Sequence, residues 1–262
     1  MKSPGAPIFF FFALLLLSLF QTPADANGLS GPELVTSHIP SVADDESEYN
    51  YEEGSGKGPE DWWHLKPEWN VCKFGKRQSP IDLTEPICID IPLGILQTFH
   101  WPSPAILRNR GHDIMLGWQY GAGLLHIDDV TYELKQCHWH SPAEHEINGR
   151  RPALEMHMVH QSAENKIAVI GILYEHGPPD PFLAQLEEPL KRIAYGEKNV
   201  SVGNMYPSNL EVLSRYYRYE GSLTTPPCTE GVVWTVFRRV LTASQQQVEL
   251  LKAAVEEVYM EP

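Results

Sequence analysis

Five stretches of this chain are rich in β-branched and aromatic residues: HDIMLGW (112–118), GLLHIDDVTYELKQCHWH (123–140), ALEMHMVHQ (153–161), IAVIGILYE (167–175) and GVVWTVFRRV (231–240). Clusters of glycine, proline and asparagine separate them. Such residues suit a pleated, half-buried surface, and such clusters end strands. Two stretches read as helices, PFLAQLEEPLKRI (181–193) and SQQQVELLKAAVEEVY (244–259). The second carries Val248, Leu251 and Val255 at the three-to-four spacing of one helical face. Strands dominate, so the expected fold class is mainly β: a large, mostly antiparallel central sheet with peripheral helices. With 262 residues, 42% of them hydrophobic, one substantial core can be buried.

The first residues read as a targeting signal. Lys2 precedes the apolar run IFFFFALLLLSLF (8–20), which is shorter than the roughly 20 residues a bilayer span needs. Ala24-Asp25-Ala26 then supplies a small-x-small cleavage site, so residues 1–26 are expected to be a secretory signal peptide. No later run is apolar enough to span a membrane. Residues 27–48 are acidic and aperiodic and read as a disordered linker. Nine acids against one lysine fall between Asn27 and Asp61, which is more than half of the net charge of −14. That charge excludes nucleic acid as a partner, because phosphate binding needs a basic patch. The expected destination is the secretory pathway, ending outside the cell or in the cell wall space. Four cysteines, Cys72, Cys88, Cys137 and Cys228, allow three complete pairings in such a compartment. Asn199-Val200-Ser201 is an N-glycosylation sequon.

The chemistry concentrates in QCHWHSPAEH (136–145). Alternate strand residues share a face, so His138 and His140 point the same way, with Gln136 one step back. Ile147-Asn148-Gly149 is a hairpin signal. On the returning strand Glu155 and His157 share a face. If the hairpin pairs with those faces together, three imidazoles converge. Three neutral imidazoles with an open fourth position describe a catalytic zinc site, where bound water has a pKa of about 7. Gln136 is placed to accept from His138, and Glu155 from His157. A polar strand that happens to be rich in histidine is the competing reading of His-x-His alone.

QCHWHSPAEH, LEMHMVH and EGSLTTPPCTE resemble the signatures of the α-class carbonic anhydrases, particularly the secreted plant type. GPEDWWHLKPEW, RQSPIDL, NRGHDIML and GVVWTVF resemble the same family in the family's order. The resemblance covers residues 51 to 255 and implies an α-carbonic anhydrase domain over 49–262. It implies reversible hydration of carbon dioxide to bicarbonate, with Zn2+ held by His138, His140 and His157. Thr224 would accept a hydrogen bond from the nucleophile and pass one to Glu144. His112 would be the proton shuttle, since imidazole titrates near neutral pH. Val159, Val169, Leu223 and Trp234 would form the apolar wall for carbon dioxide, with Thr225 near bicarbonate. Cys72 and Cys228 match the family's disulfide pair, leaving Cys88 and Cys137 as free thiols. His145 and His160 read as structural. Sulfonamides or small anions are the expected inhibitors.

The ending departs from the family pattern. After LLKAAV the chain reads EEVYMEP, where the family runs on into one more strand. The domain is therefore expected to be C-terminally shortened, with a new sheet edge and lower stability. Two further readings stand beside the enzyme: a non-catalytic carbonic-anhydrase-like binding or storage protein, and a secreted esterase using the same zinc chemistry.

Overall fold

The structure is a computed structural model that describes residues 48–84, 96–207 and 215–256. The expected leader, all of the linker but Glu48, Cys88 and residues 257–262 lie outside the described residues. Among these residues the chain runs through three short N-terminal turns of helix, α1 (Trp62–Leu65), a 3-10 turn (Pro67–Trp69) and α2 (Val71–Phe74). Strands β1 (Gln97–His100), β2 (Ser103–Asn109), β3 (Ile114–Trp118), β4 (Gly123–Ile127), β5 (Val130–His140), β6 (Leu154–Ser162) and β7 (Ile167–His176) follow. Then come α3 (Pro181–Ala184), α4 (Glu187–Ala194), β8 (Asn199–Met205), β9 (Tyr216–Ser222), β10 (Glu230–Phe237), β11 (Leu241–Ala243) and α5 (Gln245–Glu256).

All eleven strands form one mixed sheet, with the order β8-β2-β3-β5-β6-β7-β10-β9 along its main path. Pairing is antiparallel except where β10 and β11 run parallel to β7. Two of the expected elements are divided. The run 123–140 breaks at Asp128, whose φ of 51° turns the chain between β4 and β5. The stretch expected as one helix, 181–193, becomes α3 and α4. Pro189 has no N–H to donate, and restarting the helix at Glu187 puts it in a first turn, where none is needed. Helix α3 begins on Asp180, whose Oδ1 accepts from the Phe182 and Leu183 N–H groups at 2.9 and 2.8 Å.

The helices cover one face of the sheet. Phe182, Leu183, Leu190 and Ile193 of α3 and α4, and Val248, Leu251 and Ala254 of α5, belong to the same buried cluster as Leu107, Ile114, Leu116, Leu134, Cys137 and Trp139 of the strands. A smaller cluster on Val169, Leu173, Val232, Trp234 and Val236 is separate from it. A third, Tyr49 with Trp62, Trp69 and Cys228, gathers the N-terminal turns around the disulfide between Cys72 and Cys228.

One irregularity decides what faces the site. The β5–β6 register shifts between Leu134 and Gln136. Before the shift, Tyr132 and Leu134 enter the main core; after it, Cys137 and Trp139 do. The extra residue exchanges the two faces, as a bulge must. Even-numbered Gln136, His138 and His140 are thereby released from the core face. Cys137 is a free, fully buried thiol, and burial pushes its pKa well up. Its peptide is expected to stay unlabelled by maleimide in the native protein and to label in denaturant, which site-resolved mass spectrometry would read.

Candidate metal centre

The central pair β5–β6 builds the site. His138 stands opposite His157, and His140 opposite Glu155. The three imidazoles of His138, His140 and His157 have ring centroids 4.8 to 5.1 Å apart. One ring nitrogen from each lies within 4.8 Å of the others, so the group is able to hold a metal ion. All three are buried.

Neighbours face the remaining ring nitrogens of two of the three. Gln136 Oε1 lies 2.9 Å from His138 Nδ1, and Glu155 Oε1 lies 2.8 Å from His157 Nε2. The Gln136 hydrogen bond sets the His138 tautomer and leaves its Nε2 lone pair for a ligand, while Glu155 holds His157 at ion-pair distance. His140 Nε2 is buried and makes no hydrogen bond among the described residues, and the same holds for Glu144 Oε2, 3.5 Å away. Buried polar atoms left unpaired are costly, and a cation between these groups would remove the cost. The donor set therefore fits a metal that accepts three imidazoles, as zinc does.

The electrostatics agree for two of the ligands. Burial pushes His138 well below the ordinary histidine range and His140 below it, so both are neutral. Burial would lower His157 too, but the Glu155 carboxylate beside it outweighs this and raises it. The same carboxylate favours any positive charge placed at His157, a metal cation's included.

The other expected residues surround this centre. Val159 pairs with Val169, and Val169 with Trp234; with Leu223 they share one apolar cluster. The Trp234 ring stands edge-on to His157 at 4.8 Å. Thr224, Glu144, His140 and His112 line one cavity of about 1020 Å3, together with Tyr49. Thr225 is buried close by. Asn199 is exposed at the head of β8.

Several supporting residues were not anticipated from the sequence. Tyr49 places its hydroxyl 3.1 Å from His112 Nε2 and is itself almost wholly buried. Burial pushes its phenol up, so it keeps its proton at neutral pH and can donate. Arg110 and Asp113 form a buried, two-pronged ion pair, with Arg110 Nε 2.7 Å from Asp113 Oδ1. Burial lowers His112, with the Asp113 charge opposing. His145, read as structural, lies between Glu155 at 2.7 Å and Tyr219 at 2.6 Å. The odd placement of aromatics in YNYEE and RYYRYEG was the available signal for Tyr49 and Tyr219.

A family model described as eukaryotic-type carbonic anhydrase matches residues 57–261. The chain belongs to the eukaryotic-type carbonic anhydrases. Alpha carbonic anhydrase 7 of Arabidopsis thaliana is 51% identical over 215 residues, which span 81% of this chain and 78% of the relative. A crystal structure of dioscorin complexed with ascorbate superposes with a TM-score of 0.76 at 43% identity, covering 82% of this chain and 92% of that one. The α-carbonic anhydrase of Thermovibrio ammonificans, solved with the inhibitor sulfanilamide, gives a TM-score of 0.70 at 32% identity over 79% and 90%. This carbonic anhydrase thus resembles both enzymes and a dioscorin. No helix among its described residues is long and apolar enough to cross a membrane.

Proposed function

We propose that the chain hydrates carbon dioxide reversibly, using Zn2+ held by His138, His140 and His157. One observation carries the reading. Gln136 and Glu155 engage the outward nitrogens of two buried imidazoles, so three ligand atoms converge within 4.8 Å beside an open cavity. Held there, zinc would lower the pKa of a coordinated water to about 7 and so would supply a nucleophile at neutral pH.

The chain's own residues do the rest. Val159, Val169, Leu223 and Trp234 hold carbon dioxide against an apolar surface that offers it no competing hydrogen bond. Glu144 accepts from the Thr224 hydroxyl and so orients the Thr224 oxygen toward the nucleophile. Thr225 receives bicarbonate. His112 carries the released proton. With its Nε2–H donating to the Tyr49 oxygen, Nδ1, buried and without a partner among the described residues, keeps the lone pair that takes it. Sulfonamides and small anions would be inhibitors at this site.

A secretory destination is part of the proposal. The Cys72–Cys228 disulfide suits an oxidising compartment, and Asn199 is exposed for glycosylation. The apolar run at 8–20 would direct it there. The likeness to a dioscorin favours a second reading, a binding or storage protein on the same fold. The deciding measurement is carbon dioxide hydration by the full chain after zinc loading. Turnover that is lost with a chelator, restored by zinc and blocked by sulfanilamide is expected. A zinc-loaded protein with no turnover above buffer would leave the storage reading in its place.

A further inference from the structure

Glu155 does more than meet one ligand. Its Oε2 accepts from the backbone N–H groups of Glu144 at 2.9 Å and His145 at 2.8 Å, while Oε1 faces both His157 and the His145 ring. From His145 the contacts continue. Tyr219 OH lies 2.6 Å from His145 Nε2, and Ser79 Oγ lies 2.9 Å from Tyr219 OH. Ser79 Oγ accepts from the Ser222 N–H at 3.1 Å, and the Ser79 N–H donates to Ser222 Oγ at 2.9 Å. Ser222 Oγ donates to the Leu223 carbonyl at 2.8 Å, and the Trp234 indole donates to the Ser222 carbonyl at 2.9 Å.

One assignment of protons satisfies every link. Ser222 Oγ is committed to Leu223, and Ser79 Oγ accepts from the Ser222 N–H. The Ser79 hydrogen is then free for the Tyr219 oxygen. Tyr219 donates to His145 Nε2, and His145 donates from Nδ1 to Glu155. The Ser79, Tyr219 and His145 protons then all point toward the carboxylate, while the Ser222 hydroxyl proton points to the Leu223 carbonyl. Such chains polarise one another and strengthen together. The backbone is shaped for it: a Cβ on Gly221 would meet Ser79 Oγ at 2.2 Å and the Tyr219 ring at 2.6 Å. Only glycine leaves this approach open.

We propose that the chain Glu155–His145–Tyr219–Ser79–Ser222 couples the metal ligand His157 to the loop that carries Leu223 and Thr224, with Tyr219 as a positioning residue. The coupling rests on the zinc reading above. A bound cation draws electron density through His157 and tightens the links to Glu155; the same links then order the loop. By reciprocity, an ordered loop strengthens zinc binding.

The test compares wild type with Tyr219→Phe, which keeps the ring stacked on Trp234 at 6.2 Å and removes only the hydroxyl. Ser79→Ala breaks the same chain one link further away and serves if the first variant does not fold. Zinc affinity is read by chelator competition. Amide exchange is read at Leu223 and Cys228, whose N–H groups bond to Thr229 and Thr225 within the loop. The expected result is a loss of about 10- to 100-fold in zinc affinity, with the zinc-induced protection at both amides reduced. Variants that bind zinc within about twofold of wild type, even if their metal-free forms melt earlier, would mean a structural role only and would overturn the coupling. A wild type that binds no zinc overturns the proposed function instead, so the two failures are told apart.

Discussion

Replacing Glu155 with leucine is expected to cost the metal-free fold about 3–5 kcal/mol, the range for breaking a buried charge network by removing one partner. The carboxylate has no solvent exposure and four donors converge on it: two backbone N–H groups, His145 Nδ1 and His157 Nε2. Burial alone would raise its pKa, but its contacts with His145 and His157 hold it well below the ordinary carboxylate range. It is therefore an anion at neutral pH. Leucine fills the site but satisfies none of the four polar neighbours, each of which then carries a desolvation cost of about 1–3 kcal/mol, partly relieved by relaxation. Gly171 backs the carboxylate: a Cβ there would come within 3.2 Å of Glu155 Oε1, so there is little room to shift. For a domain of this size each kcal/mol moves the melting temperature by about 2–4 °C. A fall of about 10 °C in differential scanning calorimetry is the expected result. A change under about 1 kcal/mol would mean that the donors find other acceptors, and that Glu155 serves His157 alone.

Much of this was legible in the residues, and the parts that were not have physical reasons. Period-two spacing put His138 with His140, and Glu155 with His157, on common faces. The hairpin signal Asn148-Gly149 is real, with φ of 50° and 71°, and Ile147 bridges Arg150 across it. Register was the open question, because nothing local shows that His138 stands opposite His157. The bulge was written in YELKQCHWH, where the apolar residues change from even to odd positions; strict alternation hides it. Strands β2, β8 and β9 escaped notice because they carry Pro104, Gly203 and charged residues that a strand tolerates only when its partners fix it. The parallel pairing of β10 with β7 depends on a distant crossover and has no local signature. Tyr219 and Ser79 lie 140 residues apart, so their contact exists only once the sheet has formed. The division of 181–193 does have a local signal, Pro189, which a helix interior does not accept.

His160 is expected to make the fold acid-sensitive well above the pH where carboxylates protonate. It lies on β6 three residues beyond His157, on the opposite face, with no solvent exposure. Burial pushes its pKa down to about 3, and the nearby His100 adds to this; the Met158 and Ala168 carbonyls favour the charged form but do not prevail. The unfolded chain would titrate the same residue near 6.5. Between these values the unfolded state binds a proton that the native state refuses. Stability is thus fully present above about pH 6.5 and declines as pH falls toward 3, by about 1.4 kcal/mol per pH unit in the middle of the window. From pH 7 to 4.5 the loss from this residue alone is about 2.5 kcal/mol. Burial, opposed at some sites by nearby carboxylates, lowers His100, His112, His138 and His140 as well, so the wild-type slope is steeper than one group can give. His157 runs the other way, because its raised pKa adds stability below 6.5. The difference between wild type and His160→Gln removes these shared contributions, whatever the substitution costs at neutral pH. Urea unfolding at half-unit steps from pH 7 to 4.5 should give two curves that converge as the pH falls, the variant losing about 2.5 kcal/mol less. Parallel curves would show that His160 is protonated in the native state within this range, and that its burial admits a partner for the charge.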